Sequence, residues 1–227
     1  MPDVIGFDVY GTLVDPLEMN QHLRRLVGDI AARFAQLWRE KQVEYAWRRG
    51  LMQKYETFGV CTQQALLFTM QALDVDLSKQ EQEQLIEEYQ NLQAFPDVVP
   101  GLSLLKARGD KLVAFSNGVE ATVRTLLGRA GILPHLEGVV SVDDLKTFKP
   151  DPKVYAYLAH RLDRSMSETW LVSSNPWDVI GAKSAGLRVA WIQRQPNAVF
   201  DPWGIEPDLV VGNLEALSER LELKSPL

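Results

Sequence analysis

Short apolar runs separated by helix-like stretches constrain this chain more than any other feature. Val4-Ile5-Gly6-Phe7, Leu112-Val113-Ala114-Phe115, Val139-Val140, Trp170-Leu171-Val172, Val189-Ala190-Trp191-Ile192 and Leu209-Val210-Val211 read as buried strands. Between them apolar residues recur at helical spacing, as in Val119, Val123, Leu126, Leu127 and Ala130, with Gly131 near the helix end. Such alternation predicts an α/β fold with a doubly wound parallel sheet. At 227 residues and 46% hydrophobic composition the chain can bury a substantial core, as one large domain or as a core with a smaller insert.

The alternation is interrupted once. From Pro16 to about Phe95 there is almost no strand-like run; Ile30, Phe34, Leu37 and Trp38 share one helical stripe, Leu85, Ile86, Tyr89 and Leu92 another, and Gly59 with Thr62 punctuates the two halves. Pro96-Asp97 and Pro100-Gly101 mark the return. The expected organisation is an α/β core made of residues 1–15 and 97–227, with a helical cap over residues 16–96 inserted after the first strand. Neither an internal repeat nor a low-complexity segment is visible.

Polar motifs follow several of the strand candidates. Asp8 ends the first run and Gly11 supplies the turn, so Asp8 is expected at the carboxyl edge of the sheet, where open α/β folds keep their chemistry. Ser116-Asn117-Gly118 follows the second run and opens a helix, which suits an anion at a positive helix end and equally suits an N-cap with a turn glycine. Lys149-Pro150-Asp151-Pro152 combines a lysine held extended by proline with a cap and a helix start. Ser173-Ser174-Asn175-Pro176-Trp177-Asp178 offers small hydrogen-bonding groups and a carboxylate, or merely a capped helix. Four polar motifs after four strands are less probable as coincidental caps than as one shared site.

Composition closes several alternatives. A net charge of -6 without a long basic block argues against nucleic acid or an anionic membrane as partners. A single cysteine excludes an internal disulfide and a cysteine-rich zinc site, no apolar stretch approaches the ~20 residues of a membrane span, and no signal segment precedes Val4, so a cytoplasmic location is expected. His22, His135 and His160 lie outside every motif and Cys61 has no nearby partner, which disfavours serine-histidine and thiolate catalysis; no P-loop, G-x-G-x-x-G, G-x-S-x-G or H-E-x-x-H occurs.

In their order, Asp8-x-Tyr10-Gly11-Thr12, Ser116-Asn117-Gly118, Lys149-Pro150 and Ser173-Ser174-Asn175-x-Trp177-Asp178 resemble the motifs of the haloacid dehalogenase superfamily, specifically its L-2-haloacid dehalogenase (type II) family. Leu37-Trp38-Arg39-x-Lys41-Gln42-x-Glu44-Tyr45 is similar to that family's arginine-bearing cap helix. The resemblance implies a Rossmann-like core and hydrolysis of short 2-haloalkanoic acids to 2-hydroxy acids with inversion at C2. Asp8 would be the nucleophile and become esterified, Asp178 would activate water, and Lys149, Thr12, Ser173 and Asn175 would hold the geometry. Ser116 and backbone amides of Val9, Tyr10 and Asn117 would receive the substrate carboxylate, Arg39 and Asn117 the halide, with Phe58 and Trp177 lining the pocket or packing cap on core.

The same resemblance implies no cofactor and no metal, and a homodimer through the helical insert. A magnesium-dependent phosphatase or phosphonatase would carry an acid two positions after the nucleophile and another near Asn175; here stand Tyr10 and a Ser-Ser-Asn run. A catalytically silent binding relative is the other alternative.

Overall fold

The computed structural model describes residues 2–223. In chain order its main elements are β1 (Val4–Asp8), α1 (Met19–Val27), α2 (Ala31–Met52), α3 (Phe58–Ala72), α4 (Lys79–Glu88) and α5 (Val98–Ala107). There follow β2 (Lys111–Ser116), α6 (Glu120–Arg129), β3 (Gly138–Ser141), α7 (Pro152–Arg161), β4 (Thr169–Ser173), α8 (Pro176–Ala185), β5 (Arg188–Ile192), β6 (Leu209–Val211) and α9 (Leu214–Glu222). The strands form one six-stranded, all-parallel sheet in the order β3-β2-β1-β4-β5-β6. Each expected strand run falls inside one of these strands.

Every residue of β1 and β4 is buried, as a parallel sheet covered on both faces requires. Side-chain alternation then decides what each strand offers to each face. Ile5 and Phe7 of β1 join Leu102 and Leu105 of α5, Leu126 and Leu127 of α6, and Leu214 and Leu217 of α9 in one apolar cluster. On the opposite face Val113, Phe115 and Leu171 pack with Val154, Tyr155 and Leu158 of α7 and Val179 of α8. Gly6 meets Leu158 on this second face, so Asp8, two residues on, leaves β1 on the α7 and α8 side. Register aligns Asp8 with Phe115, and Phe7 with Val172, which brings the ends of β1, β2 and β4 together at the point where the strand order reverses.

Between β1 and α5 the described chain is helical. Its two connections lie side by side: Val14 forms an antiparallel bridge with Ala94, and the Phe95 amide donates to the Leu13 carbonyl at 3.1 Å. Inside this segment two expectations change. The buried stripe of α2 is Ala31, Phe34, Ala35, Trp38, Gln42 and Ala46, whereas Ile30 precedes the helix and is exposed, and Leu37 is half-buried. The stripe is displaced because alanines and a glutamine, which carry little hydrophobic signal, take the inward positions. Gly59 and Thr62 lie within α3, whose start is capped by Thr57; the break between helices is the Gln53–Thr57 stretch, where Gln53 adopts a left-handed conformation.

Helices α5 and α9 approach so closely at Gly101 that an added Cβ would sit 2.8 Å from the Leu214 carbonyl carbon and also strike its Cβ. Because the obstacle includes backbone, relief requires one helix to move. Gly101→Ala is expected to destabilise the fold by about 1–3 kcal/mol, read as a lower urea midpoint with unchanged slope.

Candidate active site

Asp8 stands at the end of β1 and is almost closed off, with 6% of its surface exposed. Its two carboxylate oxygens are held differently. Oδ1 accepts from the Lys149 ammonium at 2.9 Å; Oδ2 accepts from Thr12 Oγ1 at 3.0 Å, Asn175 Nδ2 at 2.7 Å and Ser173 Oγ at 3.4 Å. Thr12 reaches back because Gly11 takes a φ of +88°, a turn that suits a residue without Cβ. Thr12 Oγ1 also accepts from the Ser174 amide at 2.9 Å, tying the loop after β1 to the loop after β4. Arg194, just beyond β5, adds a second tie by donating to the Thr12 carbonyl and to Asp97.

Lys149 occupies the centre. Its side chain is 1% exposed, and Nζ donates to Asp8 Oδ1, to Asp178 Oδ2 and to the Phe115 carbonyl, each at 2.9 Å. The ammonium also lies 4.4 Å from the centre of the Phe115 ring. The Lys149 amide donates to Asn117 Oδ1 at 2.9 Å, so the loop is fixed at its backbone as well. Burial works against the lysine charge, yet the adjacent carboxylates of Asp178 and Asp8 outweigh it and raise the lysine pKa.

Asp178, on the first turn of α8, has no exposed surface. Burial raises its carboxyl above the ordinary aspartate range; the Lys149 ammonium opposes this and the charge of Asp8 adds to it. Its second oxygen, Oδ1, accepts from Tyr155 Oη at 2.8 Å. Tyr155 is a site residue missed in the sequence: within Val154-Tyr155-Leu158 it reads as one more core position of α7, and only its hydroxyl departs from that reading. Burial pushes that phenol well above its usual range, so it remains a donor. Gly181 lets α8 come this near, since a Cβ there would lie 2.6 Å from Tyr155 Oη and 2.7 Å from Pro150 Cβ.

Of the caps suggested by sequence, Asp151 does cap α7, accepting from the Lys153 amide at 3.0 Å, whereas those expected at α8 and α6 are not formed. Asn175 stands at the start of α8 without capping it, because its amide is spent on Asp8 and on the Tyr10 carbonyl at 3.1 Å. At α6 the cap position is Val119, one residue beyond the expected motif, and no side chain caps it. Ser116 Oγ accepts instead from the Gly118 amide at 3.0 Å, while Asn117 uses Oδ1 on Lys149, with no protein partner on Nδ2 among the described residues.

Arg39 comes down from α2. It donates to the Tyr10 carbonyl at 3.3 Å and to Gln42 Oε1 at 2.6 Å, with its guanidinium carbon 6.0 Å from the centre of the Tyr10 ring. Tyr10 follows Val9 out of β1; both are buried, and burial drives the Tyr10 phenol upward. Phe58 packs between the Tyr10 ring at 5.6 Å and Phe148 at 6.3 Å, and Trp177 sets its ring edge-on to Trp47 of α2 at 5.4 Å. Trp177 is thus joined to the helical segment and makes no described polar contact with Asp8. A cavity of about 740 Å³ reaches Gly11, Ser174 and Asn175 from the side of Arg39 and Arg194.

A sequence profile of haloacid dehalogenase-like hydrolases matches residues 2–186. This chain belongs to that family. Within it the chain groups with 2-haloacid dehalogenases: haloacetate dehalogenase H-2 of Moraxella sp. (strain B) is 36% identical over 215 residues, covering 95% of this chain and 96% of the relative. The (S)-2-haloacid dehalogenase of Pseudomonas sp. (strain YL) is 36% identical over 218 residues, covering 96% and 94%. The L-2-haloacid dehalogenase of Xanthobacter autotrophicus superposes with a TM-score of 0.91 at 29% identity over 99% of this chain and 100% of that one, and has also been solved with chloropropionic acid covalently bound.

Magnesium, which phosphate-transferring members of this fold employ, does not fit the donor set. A hard cation needs converging oxygen lone pairs. Here each oxygen of Asp8, Asp178 and the Tyr10 carbonyl already accepts from an N–H or O–H group, the central place between the two carboxylates is held by the Lys149 ammonium, and no acid follows Asp8 at position 10.

If Lys149 neutralises two buried carboxylates, Lys149→Met should cost about 3–5 kcal/mol at neutral pH. The sign with pH follows from the raised Asp178 carboxyl: without the ammonium, the folded state takes up protons that the unfolded chain releases, so stability falls as pH rises. The deficit relative to wild type should therefore shrink on acidification, measured by urea unfolding at several pH values; a deficit independent of pH would contradict this electrostatic account.

Proposed function

We propose that this enzyme removes halide from short 2-haloalkanoic acids by hydrolysis, giving the 2-hydroxy acid with inversion at C2. The observation that carries the reading is the Asp8-Lys149-Asp178 triad, in which the carboxylate at the end of β1 and a second, fully buried one share a single ammonium. Asp8 Oδ1 has a single donor where Oδ2 has up to three, so Oδ1 keeps a lone pair for attack. Attack on C2 opposite the halogen forms a C–O bond to Asp8, breaks the carbon–halogen bond, and releases halide toward Arg39 and Asn117 Nδ2.

The second half returns Asp8. Asp178 takes a proton from water, whose oxygen adds to Cγ of the Asp8 ester; collapse of that adduct breaks the ester C–O bond, Asp178 returns its proton to the departing alkoxide oxygen to give the hydroxy acid, and the Asp8 carboxyl loses its proton to solvent to restore the carboxylate. Lys149, Thr12, Ser173 and Asn175 supply N–H and O–H groups to the carboxyl oxygens as charge grows there. Before substrate binds, Asp8 and Asp178 are balanced by Lys149 and Arg39. The substrate carboxylate, in this reading, meets Ser116 and the amides of Val9, Tyr10 and Asn117.

In this reading residues 16–96 act as a cap on the core, supported by the paired connections at Val14 and Ala94. A homodimer through this segment belongs to the same reading, supported by exposed Leu51 and Met52 at the end of α2 and Leu67 on α3. A cytoplasmic location accords with the one buried, unpaired cysteine, Cys61. Among the described residues no helix is long and apolar enough to cross a membrane.

Halide release from (S)-2-chloropropionate in EDTA, with (R)-lactate as the product, is the expected outcome; aryl phosphate hydrolysis dependent on added magnesium, without halide release, would instead support a phosphatase. Asp8→Ala should keep its fold and lose turnover. Because Asp178 must be ionised to accept a proton and burial raises its carboxyl, kcat should fall on acidification with a midpoint above the ordinary aspartate value of about 3.9. A kcat profile flat down to that value would count against Asp178 as the base.

A further inference from the structure

Arg39 is held by neutral groups: Nη1 is given to Gln42 Oε1 at 2.6 Å and Nη2 to the Tyr10 carbonyl at 3.3 Å, and the guanidinium also interacts with the Tyr89 hydroxyl. Nearby acids on α2 are engaged elsewhere. Glu44 pairs with Lys41 and Arg48, and Glu40 accepts from Gln36 at 2.9 Å. The group that fixes the guanidinium is therefore a neutral carboxamide. Gln42 has no exposed surface, unusual for so polar a side chain, and all its described bonds are internal.

The orientation of Gln42 is over-determined. A guanidinium can only donate, so Oε1 must face Arg39 and Nε2 must turn away. Oε1 receives a second bond from Tyr89 Oη at 3.1 Å, and Nε2 donates to Thr62 Oγ1 at 2.6 Å, which itself donates to the Phe58 carbonyl at 2.8 Å. Trp38 Nε1 closes the set on the Thr62 carbonyl at 2.9 Å. Helices α2 and α3 and the residue that ends α4 are thereby pinned around one carboxamide. At the other end, the Tyr10 carbonyl that Arg39 touches also receives Asn175, which holds Asp8.

We infer that Gln42 is a positioning residue: it fixes the Arg39 guanidinium against the Tyr10 carbonyl, two residues beyond Asp8, without cancelling its charge, so that the full positive charge is available to the departing halide. This rests on the dehalogenase reading above. A carboxylate at the same place would hold Arg39 equally well but would neutralise it, whereas an apolar residue would take away its shortest bond and leave it only the Tyr10 carbonyl and the Tyr89 hydroxyl.

The test uses leaving-group sensitivity. Chloride is a poorer leaving group than bromide, so its displacement depends more on halide stabilisation, and kcat/KM reports that first irreversible step. For Gln42→Leu, kcat/KM with (S)-2-chloropropionate should fall roughly 100-fold, as for loss of one preorganised donor, and the bromide-to-chloride ratio should rise about 5- to 10-fold over wild type. Gln42→Glu, which retains volume and acceptor, should shift the ratio in the same direction and decides the matter if the leucine variant does not fold. Equal losses for both substrates, with the ratio unchanged, would reduce Gln42 to packing and overturn the inference. Arg39→Lys is run alongside: a raised ratio there with none in the Gln42 variants sinks the Gln42 role alone, while an unchanged ratio in Arg39→Lys, or a wild type that releases no halide, removes the reading on which it rests.

Discussion

One ammonium group shared between two buried carboxylates organises this molecule. Isolated, any of the three charges would cost several kcal/mol to remove from water, so none could occupy the sheet edge alone. Together they are tolerated because Lys149 meets Asp8 and Asp178 at 2.9 Å each and the Phe115 carbonyl takes its third proton. Nearby contacts serve that arrangement: Asn117 fixes the Lys149 backbone, Tyr155 satisfies the far oxygen of Asp178, and Thr12, Ser173 and Asn175 satisfy the far oxygen of Asp8. Parity along β1, β2 and β4 explains why they meet, since Asp8, Phe115 and Ser173 leave their strands on one face.

The helical segment adds what the core lacks. The triad carries one net negative charge, and Arg39 brings the count to neutral from above. Around it Tyr10, Phe58 and Phe148 form an aromatic seam, continued by the stacking of Tyr55 on Phe148 at 5.0 Å and by Trp47 against Trp177. Such a seam keeps water scarce, which strengthens each hydrogen bond to a developing charge.

Much of this was legible in the sequence where physics leaves a strong local mark. A carboxylate ending an apolar run, a lysine before proline and a carboxylate opening a helix after a strand each interrupt a pattern, and Asp8, Lys149 and Asp178 do meet. The hidden residues interrupt nothing. Tyr155 continues the apolar stripe of α7, and its role rests on one hydroxyl. Gln42 lies in a helix crowded with Lys41, Glu44 and Arg48, where a polar side chain reads as solvated, although it faces inward among Tyr89, Thr62 and Arg39. Asn175 and Asn117 show the converse: their composition signalled helix starts, but tertiary partners claimed the side chains.

An aspartyl ester that is opened by solvent at the carboxyl carbon leaves an isotopic record on the enzyme. A single turnover of (S)-2-chloropropionate in heavy-oxygen water, with enzyme in excess, separates this from direct attack of water on C2. With an ester intermediate the hydroxy acid is expected unlabelled and the peptide that carries Asp8 gains one heavy oxygen; labelled hydroxy acid with an unlabelled peptide would mean that water struck C2 directly and that no ester forms.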